Sequence, residues 1–302
     1  MENTQNSKAM TFVFIAVVAG TGMDAFVKQV GEEVDTWQLL FLRWCFAALL
    51  LIPMAVKEGA GIFVWKSPKA HLMRGVLNCV ASFLLFYSLA NLPLAVVVTI
   101  FFAEPLFIVP ISALWLKEKV APGHWLATLV GFIGVLLIAR PSGDFTPLEI
   151  IYPFAGALGF ALLHIGTKKY GSEESPISLM FWLAILTILM SGPMAVADWS
   201  PVSLKDFSFI GLIAVLGSVY SYFWIVGLRI GSAAIAAHIS YLSLPLAYLI
   251  GWAFFDETPD MYTILGSGVI FLSVLMVSVK NGMKLPFPRA LRRGKTYDAK
   301  AS

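Results

Sequence analysis

Long apolar runs, broken at regular intervals by short polar segments, dominate this chain. They lie near 10–30, 37–56, 74–92, 94–116, 122–139, 149–167, 177–197, 207–228, 232–254 and 261–279. Each approaches the ~20 residues that a helix needs to cross about 30 Å of hydrocarbon. The tight connections at Asn91-Leu-Pro93 and Arg229-Ile-Gly231 predict helical hairpins. No loop is long enough to hold a soluble catalytic domain. The pattern predicts an all-α membrane protein with ten transmembrane helices.

Composition strengthens that reading. Of 302 residues 59% are hydrophobic and 13% charged, with a mean hydropathy of +0.82. A soluble domain is about a quarter charged, so lipid must be the solvent for most of this surface. Cys45 and Cys79 both fall inside apolar runs and offer neither a disulfide framework nor metal-ligand spacing. The first run follows a single lysine, Lys8, and contains Asp24, which predicts a retained helix and not a signal peptide.

Charge adds orientation. With the N-terminus inside, 17 of the 21 basic residues fall in cytoplasmic segments. They include Lys57, Arg74, Lys117, Lys168, Arg229 and the tail from Lys280 to Lys300, whereas Lys28, Arg140 and Lys205 stay outside. That bias predicts both termini in the cytoplasm, as an even number of spans requires. The tail, 281–302, reads as a segment drawn to anionic headgroups and not as a nucleic-acid site, because a membrane span lies directly upstream.

A shift of about 139–140 residues aligns the two halves. Lys28 and Gly31 fall on Lys168 and Gly171, Glu118 on Glu257, and Gly134-Val135 on Ser273-Val274. Asp24 falls close to His164, and Pro105 within a residue of Pro245. The repeats are 10–140 and 147–280. Five spans per half means that the second unit runs through the bilayer inverted. Lys117 and Lys119 after span four become Asp256, Glu257 and Asp260 after span nine, as inversion demands. Two inverted five-helix repeats are a signature of secondary transporters, with the substrate site near the midplane.

Four motifs resemble the EamA family of the drug/metabolite transporter superfamily: Phe41-Leu-Arg-Trp44, Glu104-Pro-Leu-Phe107, the Leu116-Lys-Glu118 ending and Gly131-Phe-Ile-Gly-Val135. The resemblance spans residues 10 to 280 as two units. It implies a ten-helix fold and movement of small metabolites, by export or uptake, without ATP hydrolysis. The second unit departs from the pattern, with Trp182 near the position matching Arg43 and Ser243 near that matching Glu104. The surroundings of Leu92-Pro-Leu-Ala95 and Arg140-Pro141 are most similar to the branch of S-adenosylmethionine, riboflavin and opine-type metallophore carriers.

Polar groups within spans cost free energy and mark function. Glu104, about ten residues into the fourth span, suits a cation, an amine or a coupling proton; the alternative is a structural carboxyl beside Pro105. Arg43 suits a carboxylate or phosphate; the alternative is an intramembrane pair with Asp24 or Glu104. Asp24 and Lys28 stand i, i+4 on one face and can pair there. His164, beside Lys168, reads as an interfacial histidine. An aromatic, hydrogen-bonding pocket is drawn from Asn78 and Tyr87 on the third span, Tyr220, Tyr222 and Trp224 on the eighth, and His238 and Tyr241 on the ninth. Aromatic girdles at the membrane interface compete with that reading. Gly156, Gly159, Gly211 and Gly217 suit close helix packing.

No Walker A, His-Glu-x-x-His or Gly-x-Ser-x-Gly motif occurs. The expectation is a secondary transporter of an amino-acid-like, nucleoside-like or vitamin-like metabolite in the inner membrane, working by alternating access with a coupling proton, another ion or exchange. It is expected to need no cofactor and no metal, and to be no enzyme. A scaffold or sensor would bring a signalling domain or long loops, and an intramembrane enzyme a clustered catalytic constellation.

Overall fold

The computed structural model describes residues 2–63, 67–117, 122–138, 146–170, 174–230 and 242–280. Glu118, Arg140, His238, Tyr241 and the basic tail therefore lie outside the described residues. All the regular structure among those described is helical. The helices are α1 (Glu2–Gly31), α2 (Thr36–Glu58), α3 (Pro68–Asn91), α4 (Leu94–Phe101), α5 (Glu104–Trp115), α6 (Pro122–Ile138), α7 (Pro147–Tyr170), α8 (Pro176–Ala197), α9 (Leu204–Ile230), α10 (Ser243–Phe255) and α11 (Met261–Lys280), with one short 3₁₀ turn at Ala60–Phe63.

Seven segments are long and apolar enough to cross a membrane, α4 and α5 counting as one, and α10 with Met261–Ser273 adds two shorter apolar helices. Large side chains such as Leu114, Leu136 and Phe254 are more than two-thirds exposed on the outer surface of the bundle. Such a surface is stable only where lipid covers it.

Local sequence sets the helix ends. The Asp35 carboxylate accepts from the Trp37 and Gln38 N–H groups and starts α2, and Ser175 caps α8 through the Ser178 N–H. The third helix starts at Pro68, about two turns earlier than the apolar run suggests, because proline occupies its first turn without losing a bond. Arg74, assigned above to a cytoplasmic loop, is consequently inside a helix and 5% exposed.

The fourth span is two helices. Phe102 and Ala103 turn through i→i−3 bonds to Thr99 and Ile100, and α5 then begins at Glu104. Pro105 supplies no N–H to the Phe101 carbonyl, so a continuous ladder is impossible there. In the second unit α10 starts at Ser243, the repeat counterpart of Glu104.

Packing follows the repeat. The most extensive contacts are α1 on α9, α3 on α7, α2 on α8 and α6 on α11, and α4 also packs on α10. Exchanging the two units turns the α1–α9 pair into the α7–α3 pair and leaves the other three unchanged. The two units therefore dock through a pseudo-two-fold arrangement. Small residues permit these approaches. A Cβ on Gly159 would meet the Ala81 Cβ at 2.9 Å, and one on Gly75 the Leu186 Cβ at 2.7 Å.

Between α6 and α11 the crossing is closer still. A Cβ on Gly134 would lie 2.6 Å from Ile270 Cγ1, 2.9 Å from the Gly266 carbonyl oxygen and 3.0 Å from the Ile270 nitrogen. Two of these atoms are backbone, so relief requires the helices to part. Gly134→Ala is expected to cost about 1–3 kcal/mol, read as a lower thermal-unfolding midpoint in detergent. Gly268→Ala, whose Cβ meets nothing within 4 Å, is the control and should leave the midpoint unchanged.

Candidate functional site

Charged and polar groups lie inside the bundle where α1, α2 and α9 pack together and where α5 meets α7. Glu104, at the break between α4 and α5, lies 2.6 Å from His164 Nδ1 of α7. Their side chains are 22% and 35% exposed, so the pair is only partly enclosed. His164, read above as an interfacial histidine, is thus the hydrogen-bond partner of Glu104. Its repeat relation to Asp24 is the sequence signal that marks it. Phe160, one turn earlier on α7, flanks the imidazole.

Asp24 is half-buried. The Asp24–Lys28 pair does not form: Lys28 instead meets Glu257 at 2.9 Å and donates to the Leu92 carbonyl at 3.0 Å. Nor does an ion pair join Asp24 to Arg43, although each feels the charge of the other. Arg43, 6% exposed, lays its guanidinium 3.8 Å from the Trp44 ring centroid and points one Nη at the Met23 thioether at 3.9 Å.

Two glycines make room here. A Cβ on Gly217 would stand 2.4 Å from Arg43 Nη2, and one on Gly20 would stand 2.9 Å from the Tyr220 ring. Tyr220 thus lies flat on α1 one turn from Asp24, and both Asp24 and Glu104 act on it electrostatically. Trp224 stacks on Tyr220 at 5.8 Å. Asp24, Arg43, Tyr220 and Trp224 therefore gather where α1, α2 and α9 pack together, and Glu104 with His164 forms a second polar pair between α5 and α7.

Two sequence candidates stand elsewhere. Asn78 is 3% exposed and donates to Thr187 Oγ1 at 2.9 Å, which joins α3 to α8. Tyr87 belongs to an aromatic ladder near the C-terminal end of α3, where Trp37, Phe83, Tyr87 and Tyr152 contact one another in sequence. At the opposite end of α3, Arg74 donates to Thr167 Oγ1 at 3.0 Å and His71 meets Glu174 at 2.9 Å. These groups tie α3 to α7 and α8.

Comparison with known proteins places this arrangement. The model of the EamA-like transporter family matches residues 7–140 and again 147–279. The chain belongs to the EamA-like transporter family. The two EamA units coincide with the two halves that dock about the pseudo-two-fold. An S-adenosylmethionine uptake transporter of Rickettsia prowazekii is 29% identical over 264 residues, covering 87% of this chain and 90% of the relative. A riboflavin transporter of Rhizobium johnstonii is 29% identical over 245 residues, 81% of each chain. The pseudopaline exporter CntI of Pseudomonas aeruginosa is 25% identical over 274 residues, 88% of this chain and 95% of that one. A crystal structure 18% identical in sequence matches with a TM-score of 0.67 over 91% of this chain and 97% of its own, a likeness of fold. The EamA chain is thus a multi-pass membrane transporter.

Proposed function

We propose that this chain is a secondary carrier of the inner membrane, with ten spans and cytoplasmic termini, that moves S-adenosylmethionine or a small organic cation of the same chemistry. Access alternates between the two EamA units. The observation that supports this reading is the pair of acids within the spans: Glu104 is hydrogen-bonded to the titratable His164, and Asp24 has no ion pair or hydrogen bond among the described residues. S-adenosylmethionine has a sulfonium, an ammonium and one carboxylate, a net positive charge that complements this site. Riboflavin is uncharged and would leave the excess carboxylate unmatched inside the bilayer, which is costly. Tyr220 and Trp224 offer a stacked aromatic face to a sulfonium or a purine. The Glu104–His164 hydrogen bond is the place for a coupling proton, since either partner can hold it.

The test is uptake of labelled S-adenosylmethionine into proteoliposomes of the purified protein. Saturable uptake above protein-free vesicles is expected, accelerated by internal unlabelled substrate and driven by an imposed pH gradient. Uptake no greater than in empty vesicles would remove S-adenosylmethionine as the substrate. Counterflow that persists without any response to the gradient would replace proton coupling by exchange.

A further inference from the structure

Arg43 is the least satisfied charge among the described residues. Its side chain is more than nine-tenths buried, yet its neighbours are a thioether and an indole face, neither of which neutralises a guanidinium. Its Nε–H has no acceptor, and neither has the adjacent buried indole N–H of Trp44. Burying a cation without an anion costs several kcal/mol, and orphaned buried donors in a native protein call for an explanation. The side chain is nonetheless held in place: Gly217 provides its space on α9, and the Trp44 ring supports it from the other side. A group so fixed and so poorly paired is built to receive an oxyanion.

Asp24 shows the complementary defect. It follows Met23, the residue that Arg43 touches, and its carboxylate makes no hydrogen bond or ion pair among the described residues. Opposite charges this close would ordinarily pair directly. Here each feels the charge of the other, yet no ion pair or hydrogen bond joins them.

We propose that Arg43 and Asp24 together bind the amino-acid head group of the transported molecule, Arg43 taking the α-carboxylate and Asp24 the α-ammonium. A simple monocarboxylate would leave Asp24 unpaired, a simple amine would leave Arg43 unpaired, and a dicarboxylate would press against Asp24. A zwitterion with both charges on neighbouring atoms satisfies both. Glu104, which keeps its hydrogen bond to His164, is then left to a second positive centre. The proposal rests on the carrier reading above and deepens it, because it predicts which half of the substrate is held here.

The test is equilibrium binding to the purified full-length protein, with thermal stabilisation as a second readout. The probes are S-adenosylmethionine, its decarboxylated form, which keeps the amine and sulfonium, and the common amino acids. Wild type is expected to bind the decarboxylated form at least ~10-fold more weakly. In Arg43→Gln the two should bind within about 2-fold of each other, the coupling expected of a direct contact. Equal binding of the two forms by wild type overturns the head-group site and leaves the carrier reading standing; this arm needs no variant to fold. Discrimination that survives in Arg43→Gln also overturns it. Amino acids that bind where S-adenosylmethionine does not would uphold the site and remove that substrate. No binding by any amino-acid-bearing probe sinks both.

Discussion

Lys28→Met is expected to destabilise the protein by about 3–5 kcal/mol, and Lys28→Met combined with Glu257→Met by much less. The Lys28 and Glu257 side chains are 10% and 15% exposed and meet at 2.9 Å. Each is also satisfied by backbone: Lys28 donates to the Leu92 carbonyl, and Glu257 accepts from the Leu94 N–H at 2.8 Å. The pair thus fastens the end of α1, the turn before α4 and the loop after α10 to one another. Removing the ammonium leaves a carboxylate and a carbonyl in a largely dry place, and that uncompensated charge is the main cost. Removing both charges leaves apolar side chains among apolar neighbours, with Phe255 already 5.4 Å from the ammonium. The measurement is the denaturation midpoint in detergent of the two single variants and the double. A Lys28→Met protein as stable as wild type would show that water reaches Glu257 and that the pair is only peripheral. If the double variant is instead as unstable as the sum of the singles, the two residues act independently.

The spans and the repeat were legible because the bilayer permits few alternatives. Backbone groups in hydrocarbon must bond within their own segment, so each crossing writes itself as a contiguous apolar run. The expected inversion rests on Lys117 and Lys119 against Asp256, Glu257 and Asp260, because loop charge reports side. The break in the fourth span was half legible: Pro105 forbids a continuous ladder, but the turn through Phe102 and Ala103 depends on what packs around it. Lys28 shows the limit. Local spacing favours Asp24 four residues away, whereas its partner Glu257 is more than two hundred residues distant and arrives only through helix docking. Arg74 was counted as a loop charge because an apolar-run criterion starts a span only where charge ends. In the structure its guanidinium finds the Thr167 hydroxyl and the Leu179 carbonyl, so the helix carries it inward. His164 lay beside Lys168 in a polar-looking stretch, and its tie to Glu104 arrives only with the docking of α5 on α7.

The Glu104→Gln variant is expected to fold normally and to lose about 10–100-fold in transport rate at subsaturating substrate. A glutamine carbonyl can still accept from His164 Nδ1, so the 2.6 Å contact between α5 and α7 survives as a neutral hydrogen bond. Ligand-free stability should therefore change by no more than ~0.5 kcal/mol. What disappears is the negative charge beside His164. A hydrogen bond or contact to a charged group is worth roughly 1.5–3 kcal/mol, and about 1.4 kcal/mol is tenfold, which sets the range. Two measurements divide the possible roles. If Glu104 only binds the cation, the concentration for half-maximal uptake rises while the maximal rate and the response to a pH gradient persist. If Glu104 and His164 hold the coupling proton, the variant loses stimulation by the gradient but retains counterflow, which needs no net proton movement. Wild-type rates in both assays would make Glu104 a structural partner of His164 and leave its negative charge without a function.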